Sequence, residues 1–456
     1  MLQTDQRRQR SLATGRVRTV VLTSCLAAQT GVHASNVNDL DTIVVTGTRT
    51  ERTLKDVPVR TEVIGRELIE AKNARNVAEA LRHTPGVLLK EIHGKGGTEV
   101  WLQGMDSDRV LVLIDGFPVA ASTGSTVDLT QIATPAIERI EIVKGAVSAL
   151  YGSEAIGGVV NIITATGRTE NAIQIIADTG SYGKKDNSGS GIGSRHLNLS
   201  GKYASGKLQS SVNLSFNIGD GYDLDTESFE FEGDQGSKNN HSLALKYNIN
   251  NANNIEYRYD FYDEDKERDF STFAPGVGDI EKLDAEKATR STNRLNWNRT
   301  FAKNHTLSLV GLHEVFDNVT QQDTISTEVV DQTREAQIVT SRAELQYDRP
   351  LGISQQLTVG VVAFDSRLDQ VQNRIENGRA VVVEEITPNA SRQNVDVFAQ
   401  NDIFIGDQWE LLPGLRWQDD SDFGTYVAPR INALYIPEKL PDFLSDHDAR
   451  VRLGVG

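Results

Sequence analysis

The sequence holds one cysteine, Cys25, only eight histidines, and more acidic than basic residues among its 456 positions. A lone cysteine permits no intrachain disulfide framework and no multi-thiolate metal centre. The net charge of -16 gives no electrostatic footing for a nucleic-acid partner. No apolar run approaches the ~20 residues a membrane helix requires, so helical spans are excluded, whereas a β-barrel with a polar inner face is not. Chemistry-bearing motifs are missing too. "LHEVFD" lacks the second histidine of a zinc-protease helix, and "GSGIGS" from Gly189 has no strand before it and no helix after it. No nucleophile stands beside a placed base, and the chain does not read as an enzyme.

What is present starts with export. Arg7, Arg8, Arg10, Arg16 and Arg18 precede a short, mostly apolar stretch from Val20 to Ala28, and Val32-His33-Ala34 fits a small-residue cleavage triplet. Residues 1–34 therefore read as a signal peptide. Its removal takes Cys25 and leaves a cysteine-free, still more acidic chain, suited to an oxidising compartment. Residues 35–55 follow, with a β-branched run, Thr42 to Thr46, between polar flanks. An isolated strand has unpaired N–H and C=O groups on both edges and needs a partner.

Two larger parts differ in grammar. In 56–167, "NVAEALRHTPGVLL" offers Asn76 as a helix N-cap and stops at Pro85-Gly86, while "RVLVLIDGFPV" is a buried-type strand broken by an Asp115-Gly116 turn. "AIERIEIVKG" and "GGVVNIIT" add two more strands, which makes a compact α+β domain. In 168–456 alternation takes over. "KLQSSVNLSFNI", "NIEYRYDFY" and "WELLPGLRW" each put apolar and aromatic residues on one parity and polar ones on the other. Tight connections such as Ala204-Ser205-Gly206 and Pro350-Leu351-Gly352 alternate with long polar stretches at 179–194, 219–240, 263–287, 317–331 and 368–392. That is the pattern of an antiparallel transmembrane β-barrel in outer-membrane lipid. The competing reading is a secreted β-rich adhesion module built on a sandwich. About thirteen strands are expected. Closed bacterial barrels have an even number, so the sequence reads as an N-terminal fragment, a truncated barrel with open edges.

At this point the residues resemble the TonB-dependent outer-membrane receptors. "DTIVVTG" is similar to a TonB box, and "LRHTPGV", "VLVLIDGFPV" and "IERIEIVKGAVSALYGSEAIGGVVNIIT" resemble successive segments of the family's plug. "DVFAQNDIFIGDQWELLPGLRW" resembles barrel strands. The resemblance implies a plug inside a 22-stranded barrel in the bacterial outer membrane. It implies a monomer that takes up a ferric siderophore, with cobalamin or haem as alternatives. It further implies that Asp41, Thr42, Ile43, Val44, Val45, Thr46 and Gly47 pair as a strand with the TonB C-terminal domain, since main-chain bonds supply such pairing. The alternative is that these residues are the plug's own first strand. Plugs of the family carry Arg where Gln103 stands, and Arg-Gly-Pro where Lys144-Gly145-Ala146 stands; Arg139 and Lys144 are then the expected lock between plug and barrel.

Other expected sites are in the loops. Asp220, Asp223, Asp225 and Glu227 form either a calcium site, as in the cobalamin-receptor branch, or a solvated acidic loop. No other cofactor is expected. His93 falls in the plug's apical loop and faces either ligand or solvent, and Tyr222, Phe229, Phe231, Phe270 and Phe273 are candidates to line a ligand vestibule.

Overall fold

The structure is a computed structural model. It describes residues 42–456 except Glu51, 93–96, 122–125, Ala146, 153–154, 166–170, 186–190, Leu224, 226–228, 230–232, Asp234, 302–304, Asn377 and 439–448. The expected signal peptide, Asp41, His93, Glu227 and Phe231 lie outside the described residues.

The segment ahead of the plug folds back on itself. β1 (Ile43–Val44) and β2 (Arg52–Thr53) pair antiparallel. The plug then runs β3 (Thr61–Gly65), α1 (Arg66–Ala71), α2 (Val77–Leu81), β4 (Val87–Glu91), β5 (Thr98–Leu102), β6 (Val110–Ile114), β7 (Phe117–Pro118), β8 (Ile137–Val143), α3 (Ser148–Tyr151) and β9 (Gly158–Thr164). As its sequence predicts, Asn76 caps α2, its side chain accepting from the Glu79 N–H at 3.0 Å. β6 and β9 are parallel, and their continuous apolar runs follow from burial on both faces. The five-stranded sheet, ordered β3-β8-β9-β6-β7, separates two apolar clusters. Asp115 and Gly116 both take positive φ (51° and 86°), the geometry of the tight turn expected there.

The wall is one antiparallel meander: β10 (Ala172–Gly180), β11 (Ser194–Ser205), β12 (Leu208–Asp220), β13 (Gln235–Asn250), β14 (Asn253–Ala274), β15 (Gly278–Phe301), β16 (His305–Thr324), β17 (Gln332–Pro350), β18 (Gln355–Glu376), β20 (Ala390–Ile405), β21 (Trp409–Asp420), β22 (Gly424–Tyr435) and β23 (Val451–Val455), with β19 (Arg379–Val383) paired to β18 off this path. The path carries the expected number of strands. Among the described residues β10 and β23 do not pair with each other.

Burial along each strand is inverted relative to a water-soluble sheet. On β21, Glu410, Arg416, Gln418 and Asp420 are buried while Trp409, Leu415 and Trp417 are exposed. The apolar parity faces out and the polar parity faces the plug, as a lipid-embedded wall requires.

Three expected loops are corrected. The stretches 263–287, 317–331 and 368–392 are largely strand: β14 and β15 continue to a tight hairpin at 274–278, β16 reaches Thr324, and β18 reaches Glu376. Polar residues dominate both parities in these extensions, with only scattered apolar ones such as Phe273 and Val371, so the alternation signal fades where the ladder of backbone bonds does not.

Candidate functional site

The run Thr42–Gly47 is not a free ribbon in this structure. Ile43 is half exposed, but Val44 is fully buried against Val57, Leu113, Val143 and Val159. Thr46 is fully buried as well. Its N–H and hydroxyl donate to Glu141 Oε2 at 2.8 and 2.5 Å, joined by the Val45 N–H at 3.0 Å. Asn161 donates to the Thr46 hydroxyl at 2.9 Å, and the Tyr151 hydroxyl donates to its carbonyl at 3.0 Å. Burial, reinforced by the carboxylates of Glu141 and Glu344, pushes the Tyr151 phenol up to about 12. It therefore stays a donor throughout the physiological range.

Beyond this segment the plug is fastened to the wall. Arg49 reaches Glu344 on β17 at 2.5 Å and the Leu150 carbonyl at 2.9 Å, with its guanidinium over the rings of Phe398 and Tyr151. Arg52 pairs with Glu410 at 2.7 Å and Asp402 at 3.4 Å. Arg75 pairs with Asp178 on β10. From the wall side, Arg294 reaches Asp115 at 2.5 Å, and Arg452 donates to the carbonyls of Val57 and Lys55 at 2.8 and 2.9 Å. Asp115 also accepts from the Thr164 N–H and hydroxyl at 2.8 and 2.7 Å. Burial works against its ionisation, but Arg294 and Arg258 outweigh that and hold the carboxyl below its ordinary range.

The expected lock of Arg139 and Lys144 is corrected. Arg139 donates to Glu141 at 2.8 Å, two residues along β8 on the same face, and Lys144 pairs with Glu62 at 2.7 Å and donates to the Pro85 carbonyl. Both act inside the plug: Arg139 orients the carboxylate that grips Thr46, and Lys144 ties β8's end to the turn after α2. The pairs that cross from plug to wall link residues up to 397 positions apart, so no local motif marks them.

At the loop end of the wall, Glu91 at the end of β4 comes within 3.4 Å of Arg268 in the extension of β14, and Lys90 sits 3.4 Å from the Trp101 ring centroid. The β4–β5 hairpin is thus the plug's apical projection. The candidate vestibule aromatics do not converge. Tyr222 packs on Tyr182 with ring centroids 5.0 Å apart, Phe270 lies on the inward parity with Arg268, and Phe273 lies on the other, exposed. Phe229 lies in the described part of the 221–234 connection. Asp220 is engaged by Arg195 at 2.5 Å, and among the described residues no group of three or more His, Cys, Asp or Glu side chains is placed to hold a metal.

A polar-lined sheet wrapped around an α+β plug is distinctive, and two family models match it in register. The plug model, TonB-dependent Receptor Plug Domain, covers residues 53–159, and the barrel model, TonB dependent receptor-like, beta-barrel, covers 179–455. The chain belongs to the TonB-dependent receptor family. Members are outer-membrane β-barrel receptors and transporters, not enzymes. Among curated relatives, Vitamin B12 transporter BtuB of Photobacterium profundum is 29% identical over 407 residues, covering 88% of this chain and 60% of the relative. BtuB of Vibrio cholerae is 37% identical over 163 residues, 36% of this chain and 27% of the relative. Among solved structures, Pseudomonas aeruginosa FpvA bound to a heterologous pyoverdine aligns with TM-score 0.69 at 16% identity, over 88% of this chain and 57% of that one. The unliganded ferric citrate transporter FecA aligns with TM-score 0.66 at 18% identity, over 84% and 61%. At such identity the likeness is one of fold. The chain spans about 60% of the length of the Photobacterium profundum relative.

Proposed function

We propose that this receptor takes up a large, scarce nutrient across the outer membrane, with energy delivered by the TonB C-terminal domain pairing with the strand Asp41–Gly47. One observation carries the reading: ahead of a plug fastened to the wall by ion pairs lies the short strand Ile43–Val44, with Ile43 half exposed. A fastened plug needs work to open, and a ribbon offers main-chain bonds through which work can be applied.

For the ligand, the BtuB relatives, one of which aligns over 88% of this chain, favour a corrinoid over the ferric siderophore first expected. The inward face of the loop-end extensions suits it, with amides such as Gln322, Gln332, Gln370 and Gln372. Cobalamin carries a rim of amide side chains, which pair with amides without a net charge to neutralise. A ferric siderophore remains the second reading, supported by the fold of siderophore receptors.

The test separates ligand from energy coupling. Outer membranes bearing the receptor should retain cyanocobalamin more strongly than ferric enterobactin; the reverse ranking would move the siderophore reading to the front. Ile43→Pro should abolish capture by the TonB C-terminal domain and leave ligand retention intact. Ile43 suits this better than Val44, whose buried side chain also holds the plug. Unchanged capture would refute strand pairing.

A further inference from the structure

A depression of ≈ 650 Å³ opens on the lipid-facing side of the wall, across β15 to β18 and β20. Its floor is one register row of small residues, Gly311, Ala343 and Ala363, flanked in the same row by Leu295 and Val395. All five are exposed, and a Cβ on Gly311 would meet nothing within 4 Å. Arg294 and Arg342 border the depression from the inner face of the strands, where they engage Asp115 and Glu344.

The next row toward the loop end is polar: Asn293, His313, Ser341, Asp365 and Gln393, again in direct register. Asn293 is eight residues along β15 from Phe301, which is exposed at the tight-turn end. That is ~26 Å of strand and, at the usual barrel tilt, roughly 20 Å of height, inside an apolar band ~25 Å tall. On β16 and β17 the paired residues one row further out, Val315 and Val339, are apolar again. A base and an acid on a lipid-facing row are out of place against hydrocarbon and mark a contact with something else. Their bonds within one copy leave room for more. His313 Nδ1 is 3.1 Å from Ser341 Oγ, Gln393 donates to Asp365 at 2.7 Å, and the exposed Arg367 approaches Asp365 only to 3.5 Å.

Both rows are patterned symmetrically about β17. One reads large, small, small, small, large; the other reads amide, base, hydroxyl, acid, amide. A twofold axis along the membrane normal through β17 keeps two copies facing the same way and reverses the strand order between them. Ser341 and Ala343 then meet their own counterparts on the axis, and the His313 side of each row meets the Asp365 side of the other. Small residues at the centre let two convex walls approach closely, as they do between packed membrane segments. We propose that this face is an interface for a second copy of the receptor, in place of the monomer that the family resemblance implies. It lies across the wall from the plug, so pairing leaves the interior unobstructed.

Cross-linking in the membrane tests this. Cys25 is the only cysteine of the sequence, and Cys25→Ser removes it. In outer membranes bearing the full-length receptor, Ser341→Cys is oxidised with a copper–phenanthroline catalyst. It should form disulfide-linked dimer at least about tenfold faster than Val427→Cys, exposed on β22 away from the depression. Ala343→Cys repeats the reading if Ser341→Cys fails to assemble. Gly311→Leu with Ala343→Leu fills the depression and should bring Ser341→Cys down to the Val427→Cys rate. His313→Asp sets acid against acid and should slow the linkage, and Asp365→His added to it should restore the rate. Equal rates at Ser341→Cys and Val427→Cys overturn the proposal. So does a native mass spectrum in which the parent is a monomer carrying one outer-leaflet lipid that the filled variant lacks, because the depression would then be a lipid site. A linkage that His313→Asp leaves unchanged, or that Asp365→His fails to restore, overturns the second copy as the occupant.

Discussion

Glu141 grips Thr46 twice, taking its backbone N–H at 2.8 Å and its hydroxyl at 2.5 Å on one carboxylate oxygen. The partners are 95 positions apart, and both side chains are buried. A ribbon meant to pair with another protein is held by its own plug through a charge-assisted contact, the stronger class of hydrogen bond. Pairing with a partner therefore competes with this grip.

Thr46→Val keeps the branched shape and removes the hydroxyl, so Glu141 loses a donor and Asn161 loses an acceptor. Leaving such buried groups short costs about 1–3 kcal/mol. The expected outcome is roughly tenfold faster proteolysis within residues 42–53 and roughly tenfold tighter capture by the TonB C-terminal domain, since ~1.4 kcal/mol is a factor of ten. Equal proteolysis in the two proteins would mean the ribbon's docking does not depend on Glu141.

Arg49 is the next fastening. It has positive φ (58°), contacts Glu344 and the Leu150 carbonyl, and lies over two rings. Arg49→Ala leaves Glu344 buried with Arg342 as its remaining cation, at 2.9 Å. Removing one partner of a buried pair costs about 3–5 kcal/mol when nothing compensates. With Arg342 in place, a loss near the lower end of that range is expected as a reduced urea midpoint for plug release. A midpoint within error of the parent would show that Arg342 and the ring contacts suffice.

Much of the plug could be read from sequence, and the fastenings could not. The Val110–Ile114 run and the cap at Asn76 are local signals, set by residues within a few positions of one another. Arg49 and Glu344 are 295 positions apart, and nothing beside either residue marks it as half of a pair. The same reasoning explains the misplaced lock. Arg139 and Lys144 sit in the most recognisable stretch of the plug, yet the strand pleat turns Arg139 onto Glu141 rather than toward the wall. The strand extensions escaped for a different reason: above the lipid both faces of the sheet meet water, so the sequence has no cause to alternate.

The Asp115–Arg294 pair predicts a pH dependence. The folded Asp115 carboxyl ionises below its ordinary value of 3.8, because Arg294, Arg258 and the Thr164 N–H outweigh burial. A depressed carboxyl contributes stability that is present above the unfolded value and lost as pH falls through the folded one. The plug's urea midpoint should hold steady from neutral pH down to about pH 4 and then drop. Asp115→Asn should lower the midpoint at neutral pH and shrink the acid-side drop. A variant with the parent's acid profile would assign that drop to other carboxylates.

Gly360 tests whether the ring contact on Arg49 matters. It faces inward on β18, where a Cβ would lie 2.6 Å from Phe398 Cε1 and 3.0 Å from the Leu345 carbonyl. Phe398 is almost fully buried, and its ring centroid is 4.4 Å from the Arg49 guanidinium. Gly360→Ala must therefore displace the ring that lies against Arg49, at a cost of about 1–3 kcal/mol for overpacking. Neighbours that share a contact do not add. The double variant with Arg49→Ala should lose less than the sum of the two single losses, by at least ~0.5 kcal/mol, because an absent guanidinium leaves the displaced ring room to settle. Strict additivity in urea midpoints would mean that Phe398 packs beside Arg49 without supporting it, and that Glu344, the Leu150 carbonyl and Tyr151 hold the fastening.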